Sequence, residues 1–297
     1  MFLVPDDPGV RKRMEDAFER AAERLGCAAL PDAPGAWGHG GRTHGRPVEG
    51  PAGVAWLRVL AVPVERRGSK LWAGNEMAAA VLPRAVPRPR LLDAVEWIDG
   101  EVAHRAELSS YVAASVCSSA PALTDRIHLP GAWWVRLREA LRAVAATPVP
   151  GARPPVVSQE YVARAIPRYL GETDVDTTVT RWSLAHGDLH WANLTAPELT
   201  VLDWEGFGPA PFGFDAAHLY AYSLPVPEVA DGVRRTFADV LAAPDGRLAE
   251  LTVAAMIVQA AERDPVHARL APLVLAHLRG SRSVGGAEFD EQDSGGY

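Results

Sequence analysis

The chain is short of cysteine and of lysine. Its 297 residues hold two cysteines, Cys27 and Cys117. They stand alone and far apart, which excludes a disulfide framework and a cysteine zinc site and points to a reducing compartment. Lys12 and Lys70 are the only lysines, so arginine carries nearly all positive charge. With alanine, glycine and proline abundant, this reads as coding bias. A net charge of -7 at pH 7 lacks the clustered basic surface that displaces phosphate counterions, which excludes a general nucleic-acid binder. A cationic or small neutral partner suits it better. No stretch reaches the roughly 18 apolar residues of a membrane span. The start, "MFLVPDDPGVRKRMEDAFER", has early acids and prolines in place of a signal-peptide core. A cytoplasmic protein without a membrane partner is expected.

What is present is a globular chain, 48% hydrophobic, long enough for one large domain or two. Residues 8 to 25 follow Asp7 and Pro8 and place Met14, Phe18, Ala21 and Leu25 on one face before Gly26, which predicts an amphipathic helix. Glycine at 35, 38, 40, 41, 45, 50 and 53 predicts turns and short strands there. "VAWLRVLAV" (54 to 62) is β-branched and aromatic and predicts a strand, and "GNEMAAAVLP" (74 to 83) a short helix ended by Pro83. Residues 90 to 108 form two strand-like runs about Asp99-Gly100, a strong hairpin signal. After Ser110 the pattern turns helical, with helices expected over 132 to 147, 158 to 171, 215 to 224, 229 to 243, 246 to 263 and 265 to 280. Residues 281 to 297 are polar and glycine-rich and are expected to form a disordered tail.

The chemistry gathers in "LAHGDLHWANLTAPELTVLDWEGFG" (184 to 208). Asp188 and Asn193 are five residues apart, and Asp203 follows ten further on. Apolar runs on either side of Pro197 and Glu198 predict a hairpin that folds Asn193 back beside Asp203. An amide oxygen and a carboxylate converging there suit Mg2+, which keeps water and phosphate oxygens in its remaining positions. Asp188 would face the same spot as a base. This is what phosphoryl transfer requires: a base at the incoming hydroxyl and metal ions between the transferred and leaving phosphates.

"HGDLHWAN" followed by "VLDWE" resembles the catalytic loop and metal-binding segment of the aminoglycoside phosphotransferase and choline kinase superfamily, a branch of the protein-kinase-like fold. His186, Gly187, Asp188, Asn193, Asp203 and Glu205 all fall on its motif positions. The resemblance implies an α+β fold of two lobes with ATP and Mg2+ between them. It implies transfer of the γ-phosphate to a hydroxyl of a small molecule that is aminoglycoside- or amino-alcohol-like. It makes Asp188 the base, Asn193 and Asp203 the magnesium ligands, and His186 a loop-shaping residue, with Glu205 beside the ligands. In "GPAPFGFDAAHL", Asp215 would bond the catalytic-loop backbone. The hairpin is shorter than usual for the family.

Such kinases also need a strand-borne cation for the α- and β-phosphates and a helix glutamate to hold it. That slot falls on Arg58, with Glu76 18 residues on, and an Arg58–Glu76 ion pair is expected. Arginine departs from the family's lysine and is not equivalent to it; Lys70 is the alternative phosphate contact. Gly40 and Gly41 lie where a phosphate-covering loop should, before this strand. The next strand would run into an interlobe hinge near Glu107 to Tyr111, where backbone meets adenine. The lobes would then span 1 to 107 and 108 to 280.

Plainer readings compete. Trp191 and Trp204 are either packing residues or an indole surface for a cationic substrate. His186 and His190 have the spacing of two zinc ligands on a helix, but Gly187 argues against that helix. Glu228, Asp231, Asp239 and Glu262 are either substrate contacts or a solvated helix face. The rival function is a nucleotide-binding pseudokinase with a regulatory or interaction role, suggested by Arg58 and the unusual glycine loop.

Overall fold

The computed structural model describes residues 4–31, 33–69, 71–151, 153–171 and 174–286. Lys70 and residues 287 to 297 lie outside these.

Helix α1 (Pro8–Arg24) starts where Asp7 Oδ1 accepts the Gly9 amide at 2.7 Å, satisfying one orphan donor of its first turn. Its stripe of Met14, Phe18 and Ala21 lies on a sheet. That sheet takes in β1 (Ala28–Ala29), β2 (Ala36–Trp37), β3 (Thr43–Gly50), β4 (Gly53–Pro63), β5 (Leu91–Asp99) and β6 (Val102–Ser110). All pairings are antiparallel, in the order β1-β3-β4-β6-β5, with β2 also on β3.

The twofold alternation of strands decides what this sheet presents. Leu57 and Val59 on β4 and Ala106 and Leu108 on β6 face α1 and are buried with it. The opposite face therefore carries Arg58, Arg105 and Glu107. Register sets Arg58 directly across from Glu107, and Arg105 across from Glu96 of β5. Charge on one face of an otherwise apolar strand is retained here by cross-strand pairing.

Helix α2 (Gly74–Val81) follows β4, yet Ala78, Leu82 and Val86 pack into the core of the helical lobe rather than under the sheet. A Cβ at Gly74 would collide with the Glu205 carbonyl, so glycine permits the close approach of α2 to that segment.

The larger lobe contains α3 (Gly131–Ala146), α4 (Gln159–Leu170), α5 (Phe214–Ser223), α6 (Pro227–Thr236), α7 (Ala238–Leu241), α8 (Pro244–Ala260) and α9 (Pro265–Gly286). Helix α5 is buried along its whole length, and α8 packs against both α4 and α5. Two small ribbons frame the segment of 186 to 208: β7 (Ser115–Val116) on β9 (Thr195–Ala196), and β8 (Trp182–Ala185) on β10 (Gly208–Pro211). No helix among the described residues is long and apolar enough to cross a membrane.

Three expectations are corrected. The helix expected over 229 to 243 breaks at Phe237, which is buried and caps α6 before α7 starts. The tail expected from 281 is helical to Gly286, because each added residue of α9 gains a backbone bond without a new nucleus. The sheet continues to Ser110, so a lobe boundary at 107 would cut β6.

Candidate active site

The loop of 186 to 193 is held mainly by side chains bonded to backbone groups. Asp215, in the first turn of α5, accepts the amides of His186 at 2.7 Å and Gly187 at 3.0 Å. Burial raises its carboxyl above the ordinary range, against the pull of His186 and those two amides. His186 is fully buried; its Nε2 meets the Leu202 carbonyl at 2.7 Å and its Nδ1 accepts the Asp188 amide at 3.3 Å. It therefore joins the loop to the hairpin. Gly187 has φ 85° and presses on the Gly206 carbonyl, where any Cβ would collide.

The hairpin folds through a Leu194–Val201 bridge and the Leu202 amide donating to the Asn193 carbonyl at 2.8 Å. Asn193 and Asp203 thereby leave adjacent chain ends. Asn193 is buried, and its Nδ2 donates to the Asp188 carbonyl at 3.0 Å and lies 3.4 Å from His190 Nε2. That directs Oδ1 away from both. Asp203 is the one non-glycine residue with positive φ among the described residues, at 56°. Its Oδ1 is buried with no hydrogen-bond donor. Left-handed backbone costs an aspartate on the order of 1 kcal/mol or more and persists where surroundings impose it, often at functional sites.

The chemistry of the donor set suits a hard divalent cation: a carboxylate oxygen without a hydrogen-bond donor on one arm of the hairpin and an amide oxygen on the other. Among the described residues no three His, Cys, Asp or Glu side chains converge as a metal group. His186 and His190 do not share a helix, and His186 Nε2 is committed to Leu202.

The Asp188 side chain is 47% exposed, with oxygens 3.7 Å from His190 Nε2 and 3.9 Å from His218 Nε2. Both imidazoles are buried. Burial lowers His190 to about 4 and also lowers His218, so both rings are neutral at pH 7. His218 Nδ1 donates to the Leu189 carbonyl at 2.9 Å, which turns the Nε2 lone pair toward Asp188. Sequence reasoning missed both residues as neighbours of Asp188. For His218, its place one helical turn beyond Asp215 was the available signal.

Arg58 is not paired with Glu76. It reaches across the cleft to Glu205 in a close ion pair, to Asp203 Oδ1 at 3.7 Å, and across the ladder to Glu107 at 3.5 Å. Burial alone would lower its basicity, and these three carboxylates more than reverse that. Arg42 adds a second cation, 3.7 Å from Glu205. Burial raises the Glu205 carboxyl, with Asp203 adding to this and both arginines opposing it.

Glu76 instead meets Arg105 at 2.8 Å. The cause is α2, which packs onto the helical lobe and aims Glu76 at the β5 side of the sheet. Arg105, missed in the sequence, also binds Glu96 at 2.6 Å and Glu107 at 2.8 Å, and Asn75 donates to Glu107 at 2.7 Å. Opposite charges alternating with apolar residues along "RAEL" were the signal for it. The result is a chain of ion pairs, Glu76–Arg105–Glu107–Arg58, ending on Asp203 and Glu205.

Glu107 is corrected as an adenine-hinge residue. It lies inside β6, between β4 and β5, so its backbone belongs to the ladder and its side chain to this charge chain. Gly40 and Gly41, with φ 64° and 70°, form a turn between β2 and β3 that ends next to Arg42. Trp191 is fully buried, with Nε1 on Ser223, and Trp204 is buried with Nε1 on the Val201 carbonyl. Both are packing residues and present no indole to a substrate. Asp239 is engaged by Arg138 and Arg142, and Glu228 lies 3.9 Å from Arg126.

The fold is similar to that of a solved aminoglycoside phosphotransferase. A thermostable mutant of the aminoglycoside phosphotransferase APH(4)-Ia, in ternary complex with ADP and hygromycin B, matches with a TM-score of 0.59 at 14% identity, over 89% of this chain and 98% of that one. Spectinomycin phosphotransferase APH(9)-Ia, in complex with ADP and spectinomycin, has a TM-score of 0.49 at 12% identity, over 88% and 92% of the two chains. Choline kinase LicA from Streptococcus pneumoniae has 0.42 at 12%, over 91% and 99%. No family profile matches the sequence, and no curated protein matches it. At 14% identity the first of these likenesses concerns the fold alone.

Proposed function

We propose that the protein is a small-molecule kinase that moves the γ-phosphate of ATP, taken up with Mg2+, to an acceptor hydroxyl. The observation that carries this reading is Asp203: a residue with left-handed backbone whose buried Oδ1 lacks a donor, on the hairpin arm opposite Asn193 and 3.7 Å from Arg58. Asn193 and Asp203 would hold Mg2+, which when bound supplies positive charge against the phosphates. Arg58, supported by Glu107, would contact the α- and β-phosphates, with Lys70 the alternative. Gly40 and Gly41 would cover the phosphates, and Glu205 would steady Arg58 and Arg42. Adenine would lie beyond the end of β6, in a cleft between lobes divided after Ser110.

Asp188, half-exposed on a loop pinned by Asp215 and His186, would orient and deprotonate the acceptor hydroxyl. The acceptor is a small molecule of aminoglycoside or amino-alcohol type, for which a net charge of -7 favours cations. A cytoplasmic location accords with the free Cys27 and Cys117.

The pseudokinase reading draws on one contact, Arg58 against Asp203, which sets an arginine beside the carboxylate that would take the metal. Turnover separates the two readings. Phosphate transfer from ATP with Mg2+ is measured against aminoglycosides, amino alcohols and sugars, for wild type and Asp188→Ala. A kinase loses about 100-fold to 10,000-fold on removal of the base. Equal background rates in both proteins would establish the pseudokinase.

A further inference from the structure

A separate cavity of about 250 Å³ opens in the helical lobe. None of Arg58, Asp188, Asn193, Asp203 or Glu205 lines it. Its apolar wall comes from Leu141 of α3, Leu184 of β8, Phe212, Phe237 and Val240 of α7. Three arginines, Arg138, Arg142 and Arg181, also line it. In a chain of net charge -7, this is a local reversal of sign.

The three cations are not fully neutralised. Arg138 and Arg142 share one carboxylate, at 3.0 Å from Asp239 Oδ1 and 2.8 Å from Oδ2. Arg138 Nε is buried without a partner. Arg181 lies over the Phe212 ring, 3.5 Å from its centroid, and such stacking leaves the in-plane N–H donors available. Asp215 also borders the space, but its two oxygens are taken by the His186 and Gly187 amides. Forked donors beside an apolar chamber match an oxyanion on an apolar body, since guanidinium pairs carboxylate and phosphate in two-point fashion.

We propose that this cavity is a binding site for an amphiphilic anion, its carboxylate or phosphate head on Arg138, Arg142 and Arg181 and its apolar body against Leu141, Phe212 and Phe237. The site does not depend on the phosphotransferase reading.

The test is calorimetric titration of the full chain, without nucleotide, using octanoate, octyl phosphate and octanol. The expected result is saturable binding of one or both anions at one site per chain, with octanol at least tenfold weaker. Which anion binds tighter identifies the head group. Arg142 and Arg181 are exposed, so the double change Arg142→Met with Arg181→Met leaves the core intact, and it is expected to weaken anion binding at least tenfold. Ala146→Trp, at the exposed rim, is expected to do the same by filling the space. The proposal is overturned if neither anion saturates, if octanol binds as tightly, or if both variants bind the anions as wild type does.

Discussion

Two regions of the molecule meet at the cleft and are built in opposite ways. The corner of 186 to 215 is held by short-range bonds, Asp215 to the His186 and Gly187 amides across no more than 29 residues, and Leu202 to Asn193 across the hairpin. The charged face of the sheet is held by side chains alone, and its decisive contact joins Arg58 to Glu205 over 147 residues. Bonds onto backbone groups, from side chains of the same segment, fix the corner. The sheet face is fixed only when both lobes are in place, because Arg58 needs acids from each.

The difference predicts where damage will fall. The largest effect is expected at Arg105, whose side chain is 5% exposed and serves Glu76, Glu96 and Glu107. Arg105→Met takes the nearest cation from the buried Glu107 carboxylate and leaves it Asn75 and the longer Arg58 contact; breaking a buried pair from one side costs about 3–5 kcal/mol. Urea unfolding would show it as a lowered midpoint. A loss below about 1 kcal/mol would mean the face is solvated and the contrast with the corner is wrong.

At the corner the largest effect should be on rate rather than stability. Asp203→Gly removes the carboxylate but accepts the φ of 56° without strain. Phosphate transfer is expected to fall about 100-fold to 1,000-fold, as when one preorganised electrostatic group is removed. The unfolding midpoint should stay near that of wild type, since relief of strain offsets the lost Arg58 contact. A variant that unfolds easily but turns over normally would reverse the assignment.

These two regions were unequally legible in the sequence. The corner could be read because each partner lies within one short segment whose order along the chain is nearly its order in space. Helix α1 was legible for the same reason, from its Asp7 cap and apolar stripe, and so was the hairpin at Gly100. The pairing of Arg58 was not. Spacing placed Glu76 on the right helix, but packing of Ala78 and Leu82 into the other lobe decided where that helix points. Glu107 was misread as a hinge because strand length, set here by pairing on both edges of β6, is poorly encoded at strand ends. His218 became a neighbour of Asp188 only through the burial of α5 beneath the loop.

Acid should weaken the corner. His190 has its folded pKa at about 4, below the ordinary 6.5, so its contribution is complete above pH 6.5 and is lost as pH falls toward 4. Over two pH units this amounts to about 3 kcal/mol at 1.36 kcal/mol per unit. His218 acts in the same direction. Asp215 and Glu205, raised by burial, act oppositely as they are protonated. His190→Gln isolates the histidine part: the stability difference between pH 7 and pH 4.5 should shrink relative to wild type. An unchanged difference would show that His190 is protonated in the folded protein.

The smallest effect belongs to Glu76, which the spacing had placed as the partner of Arg58 and which pairs with Arg105 instead. Its side chain is 59% exposed, and the pair with Arg105 competes with water and salt. Glu76→Gln should lower stability by less than about 1 kcal/mol, because Arg105 keeps Glu96 and Glu107. Its effect on the apparent affinity for ATP should be correspondingly small, within about tenfold, since the orientation of Arg58 comes from Glu107, Asp203 and Glu205. Kinetics at varied ATP would decide. A loss as large as that of Arg58→Met would restore Glu76 to direct support of the phosphate cation and would make the sheet face depend on the helix as well as on its own ladder.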